Sequence, residues 1–488
     1  MSNEPNDTPR QIAAKDISPD PVKIVSPQTL DLYAKRKKIQ PRAIEGFFQN
    51  IRIITIWATM AVYFLLPWVT WDGRQALLFD LPARKFYIFW WTFLPQDFIF
   101  LSWLLIIAAM SLFTLTVFAG RVYCGYVCPQ TVWTKIFLII ENFTEGSRNA
   151  RVRLDKAKIS PEKIIRRGSK HIAWLAVAFV TAITFVGYFT PARTLTTELL
   201  QVNLGGWELF WIFFFTMATY TNAGWMREQV CMYMCPYGRF QSVMMDKDTL
   251  IISYDAKRGE SRGGRKKEAD YKSLGLGDCI DCELCVQVCP TGIDIRDGLQ
   301  FECIQCAACI DACDSIMDQM GYARGLVRYT TEHQLAKGGR FKFLRLRLVG
   351  YAAIIGIMLT IFATMLTLRV PLEVETIRDR NQLYRENSQG MIENVYLLKV
   401  LNKSQKTRHF TVSLKSDKHI SMSKPVVMDI EAGDLASLPV TLVADPEELH
   451  HNKYEVTFMV QDSIDPGLNK TSESRFFAPA QHEGRDHD

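Results

Sequence analysis

Histidine is scarce in this chain and badly placed for haem. Only 8 of its 488 residues are His, and none lies inside a long apolar run. This excludes bis-histidine haem held within a membrane by the chain itself. His171 stands at the edge of one run, which suits an interfacial role. The interiors of the runs also lack Asp, Glu, Lys and Arg, which argues against an ion or proton pathway and marks them as scaffold. There is no Gly-rich phosphate loop or dinucleotide fingerprint, since Arg262-Gly263-Gly264-Arg265 has neither a flanking strand nor the spacing. No cysteine lies beyond Cys313. No small-residue cleavage site follows the first basic stretch, so the first apolar run is expected to remain uncleaved.

What is present is apolar surface and sulfur. Hydrophobic residues make up 48% of the chain, and its length suggests two or three domains. The formal net charge of +6 is better explained by basic residues beside membrane spans than by nucleic acid. Five stretches approach the roughly 20 apolar residues needed to cross hydrocarbon: 53–69, 98–119, 172–189, 209–225 and 348–368. The fourth carries Thr216, Thr219, Tyr220, Thr221 and Asn222 near its end, residue types that hydrogen-bond to neighbouring helices. The aromatic segment 86–93, with Tyr87, Trp90 and Trp91, is short and is followed by Pro95; it reads as an interfacial belt.

Basic residues orient the spans. The connection 148–170 carries nine Lys and Arg, and 257–272 carries seven, whereas 72–97 and 190–208 are poor in them. Positive-inside reasoning puts the N-terminus and every cysteine in the cytoplasm, and five crossings leave the C-terminal region outside. That region alternates with period two: Phe410, Val412 and Leu414; Leu438, Val440 and Leu442; Tyr454, Val456, Phe458 and Val460. Such strands predict an antiparallel β-sandwich, here without cysteines for an antibody-type disulfide.

The cysteines carry the chemistry. Cys279, Cys282, Cys285 and Cys289-Pro290 form a C-x-x-C-x-x-C-x-x-x-C run, and Cys303, Cys306, Cys309 and Cys313 repeat it. This is the ligand rhythm of bacterial two-cluster ferredoxins, in which the fourth cysteine of each run serves the other cluster. It assigns Cys279, Cys282, Cys285 and Cys313 to one [4Fe–4S] cluster, and Cys303, Cys306, Cys309 and Cys289 to a second. A zinc ribbon needs only four thiolates, and disulfides do not suit a reducing compartment. The second run ends in Cys313-Asp314, without a proline.

A second constellation lies upstream. Cys124-Gly125-Tyr126-Val127-Cys128-Pro129 follows the second apolar stretch, and Cys231-Met232-Tyr233-Met234-Cys235-Pro236 follows the fourth. The duplication predicts a repeated helical hairpin bringing four thiols together at one membrane edge. Cysteines four apart share a helical face. Soft-metal ligation, with Met232 and Met234 suited to copper(I), a redox-active dithiol and a further cluster all remain open. Buried packing cysteines are the plain alternative.

Together these pieces resemble the CcoG/FixG/RdxA family of cbb-type cytochrome c oxidase accessory proteins, over about residues 30–480. The resemblance implies a multi-domain membrane protein, with an α-helical transmembrane bundle, an inserted bacterial-type two-[4Fe–4S] ferredoxin domain and a C-terminal immunoglobulin-like β-sandwich. The expected division is a cytoplasmic tail over 1–45, a four-helix transmembrane core over 46–245, the cytoplasmic ferredoxin domain over 246–340, a fifth transmembrane helix over 341–369, a periplasmic domain over 370–479 and a disordered tail over 480–488. The implied activity is that of a cupric reductase in the bacterial inner membrane, turning copper(II) into copper(I) for copper chaperones and oxidase assembly factors. Cys124, Cys128, Cys231 and Cys235 would be its catalytic residues. The electron donor, a quinol among the candidates, and any homo-oligomer stay open. The competing readings are a quinol dehydrogenase serving another respiratory partner and a non-enzymatic scaffold or copper carrier.

Overall fold

The structure is a computed structural model and describes residues 38–71, 73–339, 341–342, 345–379, 381–404, 406–416 and 419–479. The tail expected over 480–488, and residues 1–37 of the N-terminal tail, lie outside the described residues. All that follows belongs to one compact unit, 40–488.

In chain order, α1 (Phe47–Leu65) is joined to α2 (Phe98–Ala119) through a small antiparallel sheet of strands Leu77–Asp80, Lys85–Ile88 and Trp91–Phe93. The aromatic segment around Trp90 therefore forms strands, not a crossing. Next come α3 (Val122–Tyr126), α4 (Pro129–Glu145), α5 (Arg148–Lys156), α6 (Pro161–Val186), α7 (Ala192–Leu200), α8 (Gly206–Thr219) and α9 (Pro236–Met244). Ser160 caps α6 by accepting from the Lys163 N–H, with Pro161 in the first helical position, where its missing donor costs nothing.

Among the described residues, four helices are long and apolar enough to cross a bilayer: Phe47–Trp68, Pro95–Ala119, Pro161–Val186 and Leu346–Thr367. The last has no buried residue, which leaves its apolar surface for lipid. The crossing expected over 209–225 is helical but not as one regular helix. The 14 residues of α8 run on into a 7-residue π-helix, Tyr220–Met226. Gln130 Nε2 reaches into this turn and donates to the carbonyls of Asn222 at 2.9 Å and Arg227 at 3.0 Å. The Asn222 carbonyl also accepts the Arg227 N–H at 2.8 Å, so Gln130 adds a brace from outside to a turn that closes on its own backbone.

The ferredoxin unit is closed by two antiparallel strands, Ile251–Tyr254 and Val327–Thr330, paired Ile251 to Thr330 and Tyr254 to Val327. Past the last span, the chain forms two antiparallel sheets. One runs in the order Ile420–Met422, Leu435–Ala444, Ile392–Asn402, Leu372–Arg378; the other is Val426–Ile430, Arg408–Lys415, Lys453–Asp462, Asn469–Phe477. Tyr396, Phe410, Phe458 and Phe476 fill the space between them and are fully buried. The expected sandwich is therefore present, and Phe410, Val412, Val440, Leu442, Val456, Phe458 and Val460 of the alternating series are among its buried residues.

This C-terminal domain is seated by charge on the turn between the small sheet and α2. Asp97, 7% exposed, accepts from Arg369 Nη2 at 2.6 Å and from Lys403 Nζ at 3.0 Å. Arg369 also lies over the Phe93 ring, 4.9 Å from its centroid.

Candidate functional site

Proline explains the backbone of both Cys-x-x-x-Cys-Pro motifs. It disfavours the helical conformation for the residue before it and starts a helix well. Cys128 (φ −55°, ψ 128°) and Cys235 (φ −81°, ψ 111°) are accordingly non-helical N-caps, and Pro129 and Pro236 begin α4 and α9. Cys124 lies in α3 and Cys231 in a short π-helix, Val230–Met234. The two sulfurs of each pair therefore do not share one continuous helical face, because the chain turns at the second cysteine.

The four cysteines nevertheless come together. Each of Cys128, Cys231 and Cys235 acts electrostatically on Cys124, whose thiol is pushed up to about 12, chiefly by burial. Cys231 is likewise raised to about 11, by burial first and then by Cys128 and Cys235. Burial also raises Cys128, and the Thr131 and Gln130 N–H groups at the start of α4 offset part of this. Cys124 Sγ donates to Gln241 Oε1 at 3.4 Å. Met232 is half-buried, and Met234 is 58% exposed.

Two features escaped the sequence reading. The first is a pair of buried arginines, Arg121 and Arg227, which are 6% and 5% exposed. Each precedes a cysteine pair by a few residues, a signal that was there to be found. Arg121 donates to the carbonyls of Phe301 and Gly238, and its backbone N–H donates to Gln305 Oε1 at 2.8 Å. It thereby ties α3 and α9 to the ferredoxin unit. Arg227 meets Glu141 at 3.1 Å, which also holds Arg151 at 3.0 Å, while Lys170 pairs with Glu145 at 2.7 Å. All five of these side chains are buried. His171 joins this region, 3.0 Å from the Tyr220 hydroxyl and stacked on Trp225.

The second is Gly125. A Cβ built there would lie 2.8 Å from the Ile304 carbonyl oxygen and 3.0 Å from Cys306 Cα. Glycine lets α3 lie flush against the loop carrying Cys306.

The two ferredoxin loops repeat one backbone. Asp281 and Glu283 have φ of 54° and 55°, and Gln305 and Ala307 have φ of 53° and 59°. Left-handed conformations at four non-glycine residues are costly, and they persist where the surroundings demand them. They curl each Cys-x-x-Cys around a cavity. Cys279, Cys282, Cys285 and Cys313 line one cavity. Cys289, Cys303, Cys306 and Cys309 line another, which Cys285 also borders. Burial pushes Cys285, Cys303 and Cys313 up to about 12 and Cys309 well above its ordinary value. These are sulfurs in a dry shell, where iron would take the place of protons. Arg296, held by Asp294 at 2.6 Å and Asp281 at 2.5 Å, lines the first cavity. The residues fit iron–sulfur clusters.

Comparison with known proteins agrees. Residues 226–332 match the 4Fe-4S dicluster domain family, 101–138 a 4Fe-4S binding domain, and 362–479 the IG-like fold at the C-terminus of FixG. Fold and site together define a membrane iron–sulfur electron-transfer protein. The chain is 37% identical to the nitrogen fixation protein FixG of Rhizobium meliloti over 421 residues, covering 79% of this chain and 80% of that one. It is 38% identical to protein RdxB of Cereibacter sphaeroides over 437 residues (86% and 91%), and 40% identical to RdxA of the same organism over 397 (78% and 83%). It belongs to the FixG/RdxA family.

Proposed function

We propose that this protein reduces copper(II) to copper(I) at Cys124, Cys128, Cys231 and Cys235, with electrons supplied from the ferredoxin unit. In this reading, Cys279, Cys282, Cys285 and Cys313 hold one [4Fe–4S] cluster, and Cys303, Cys306, Cys309 and Cys289 hold the other. Such clusters, when bound, supply one-electron transfer at potentials between about −700 and +450 mV. The observation that carries the reading is the packing of Gly125, which lies between Cys124 and Cys128, against Cys306. At that point α3 and the loop lining the second cysteine cavity meet backbone to backbone.

The chain's own residues prepare the copper site. Burial keeps Cys124 and Cys231 protonated, so a soft cation has to displace those protons to gain sulfur ligands. Arg121 favours the thiolate of both. Each copper(II) takes one electron, so a two-electron donor such as a quinol would serve two copper ions and release two protons. The twelve cysteines and the basic connections support a cytoplasmic face for this chemistry in a bacterial inner membrane, with the C-terminal domain in the periplasm. Copper(I) would pass to chaperones or assembly factors of a cbb-type oxidase.

One observation favours a second reading. The 4Fe-4S binding domain matched over 101–138 contains only Cys124 and Cys128 as cysteines, which supports a further cluster at the membrane edge. Iron analysis of anaerobically purified protein separates the two, with about 8 irons per chain for two clusters and about 12 for three. Changing Cys124, Cys128, Cys231 and Cys235 together to Ser is expected to abolish copper(II) reduction, assayed with a copper(I) chelator, while the visible absorbance of the ferredoxin clusters remains. Reduction that survives this change would mean that copper is met elsewhere.

A further inference from the structure

A cavity of about 110 Å³ lies where the segment before α1, α1 itself, α4 and α5 meet the ferredoxin unit. Four cations line it, Arg42, Arg52, Lys135 and Arg151, and none of the described residues lining it is Asp or Glu. Arg151 is already committed, donating to Glu141 Oε2 at 3.0 Å and to the Pro41 carbonyl at 2.8 Å. Arg52 is not. It is only 5% exposed, its Nε has no hydrogen-bond partner, and among the described residues no carboxylate pairs with it. Nor does a carboxylate pair with Lys135 among the described residues, and its amine is lowered to about 8 by burial first and by Arg52 next. Two uncompensated cations share one concave site, and removing a charge from water without a partner is costly.

We infer that this cavity binds a phosphate group, with Arg52 and Lys135 as its principal partners and Arg42 at the rim. A single carboxylate would answer one guanidinium. Arg42, Arg52 and Lys135, none of them paired with a carboxylate among the described residues, call for an anion with more oxygens and more charge, and the guanidinium fork matches phosphate geometry. The space suffices, since one water needs only about 10–15 Å³ by the same measure. Two sources share this chemistry, an anionic phospholipid headgroup and a soluble phosphate. Ile139, 46% exposed, also lines the cavity and offers apolar surface for an acyl chain. Pro290 and Ala308 border both this cavity and the one holding Cys289, Cys303, Cys306 and Cys309. The bound group would thus pin the N-terminal segment, α1 and α4 to the ferredoxin unit.

The test uses the full iron-loaded chain, delipidated in neutral detergent. Binding is followed by thermal stability and native mass spectrometry, with inorganic phosphate in one arm and phosphatidylglycerol, against phosphatidylcholine, in the other. Wild-type protein is expected to gain stability from at least one probe. Stabilisation by inorganic phosphate identifies a soluble ligand, and stabilisation by phosphatidylglycerol alone identifies a lipid. Arg52→Met and Lys135→Met are each expected to weaken binding by tenfold or more, yet to melt no lower than wild type without ligand, because each removes a charge that no carboxylate pairs among the described residues. Failure of both probes to bind wild type overturns the inference, as does undiminished binding by both variants. If neither variant folds, the wild-type titration alone decides.

Discussion

Gly125 and Cys306 touch through backbone: a methyl group on Gly125 would sit 3.0 Å from Cys306 Cα and closer still to the Ile304 and Gln305 carbonyl oxygens. All three atoms belong to the main chain of a loop that cannot give way cheaply. Gly125→Ala is therefore expected to cost about 1–3 kcal/mol by overpacking, read as a lower melting temperature. Copper(II) reduction should fall by up to about 100-fold, because small misplacements at a reacting centre can cost that much. The cluster absorbance should persist. A variant with wild-type rate and stability would mean that this contact is not the route between the two groups of cysteines.

Asp97 is the shared anion beneath the C-terminal domain, facing Arg369 and Lys403. Asp97→Asn takes the carboxylate from Arg369 and leaves Lys403 with Glu373, and breaking a buried pair in this way costs about 3–5 kcal/mol. The readout is limited proteolysis of the stretch joining the last span to the sandwich, which should be cut faster in the variant. Equal cleavage rates would show that the sandwich is held by its chain connection alone.

Asp246 ties the loop after α9 to the start of the last span, accepting from Arg345 at 3.0 Å and Arg347 at 3.2 Å. Burial alone would raise its carboxyl, but the Asp248 N–H, the Thr249 hydroxyl and the two arginines together hold it below its ordinary 3.8. A lowered carboxyl contributes stability that is present above the unfolded value and lost only as pH falls through the folded one. Asp246→Asn should therefore lower the melting temperature equally across pH 6–9, by an amount equivalent to about 1 kcal/mol for this partly exposed group. A loss that varied within that window would point to a different titrating group.

What could be read early was local and periodic. The apolar runs at 98–119 and 348–368 mark spans because the length of a hydrophobic helix must match hydrocarbon. Alternation through Val456, Phe458 and Val460 marks a strand because successive side chains face opposite sides. The same reading missed the π-turn at Tyr220–Met226, which Gln130, a residue from another helix, braces. It placed the start of the third span at 172, whereas α6 begins at Pro161 and carries Lys170 into a buried charge cluster. Local hydropathy cannot anticipate that Glu141 and Glu145 will be there to receive those cations.

The chain's own letters determined its sulfur rhythm, its apolar runs and its family, since each is written in spacing along the sequence. The tertiary structure alone decided that Gly125 lies against Cys306, that Arg121 bridges α3 to Phe301, and that Arg52 and Lys135 share a cavity that no carboxylate lines among the described residues. Gly125 and Arg121 meet partners some 180 residues away in the chain, and Arg52 and Lys135 come from different helices. No period of 2 or 3.6 encodes such meetings, which arise only when separate elements pack.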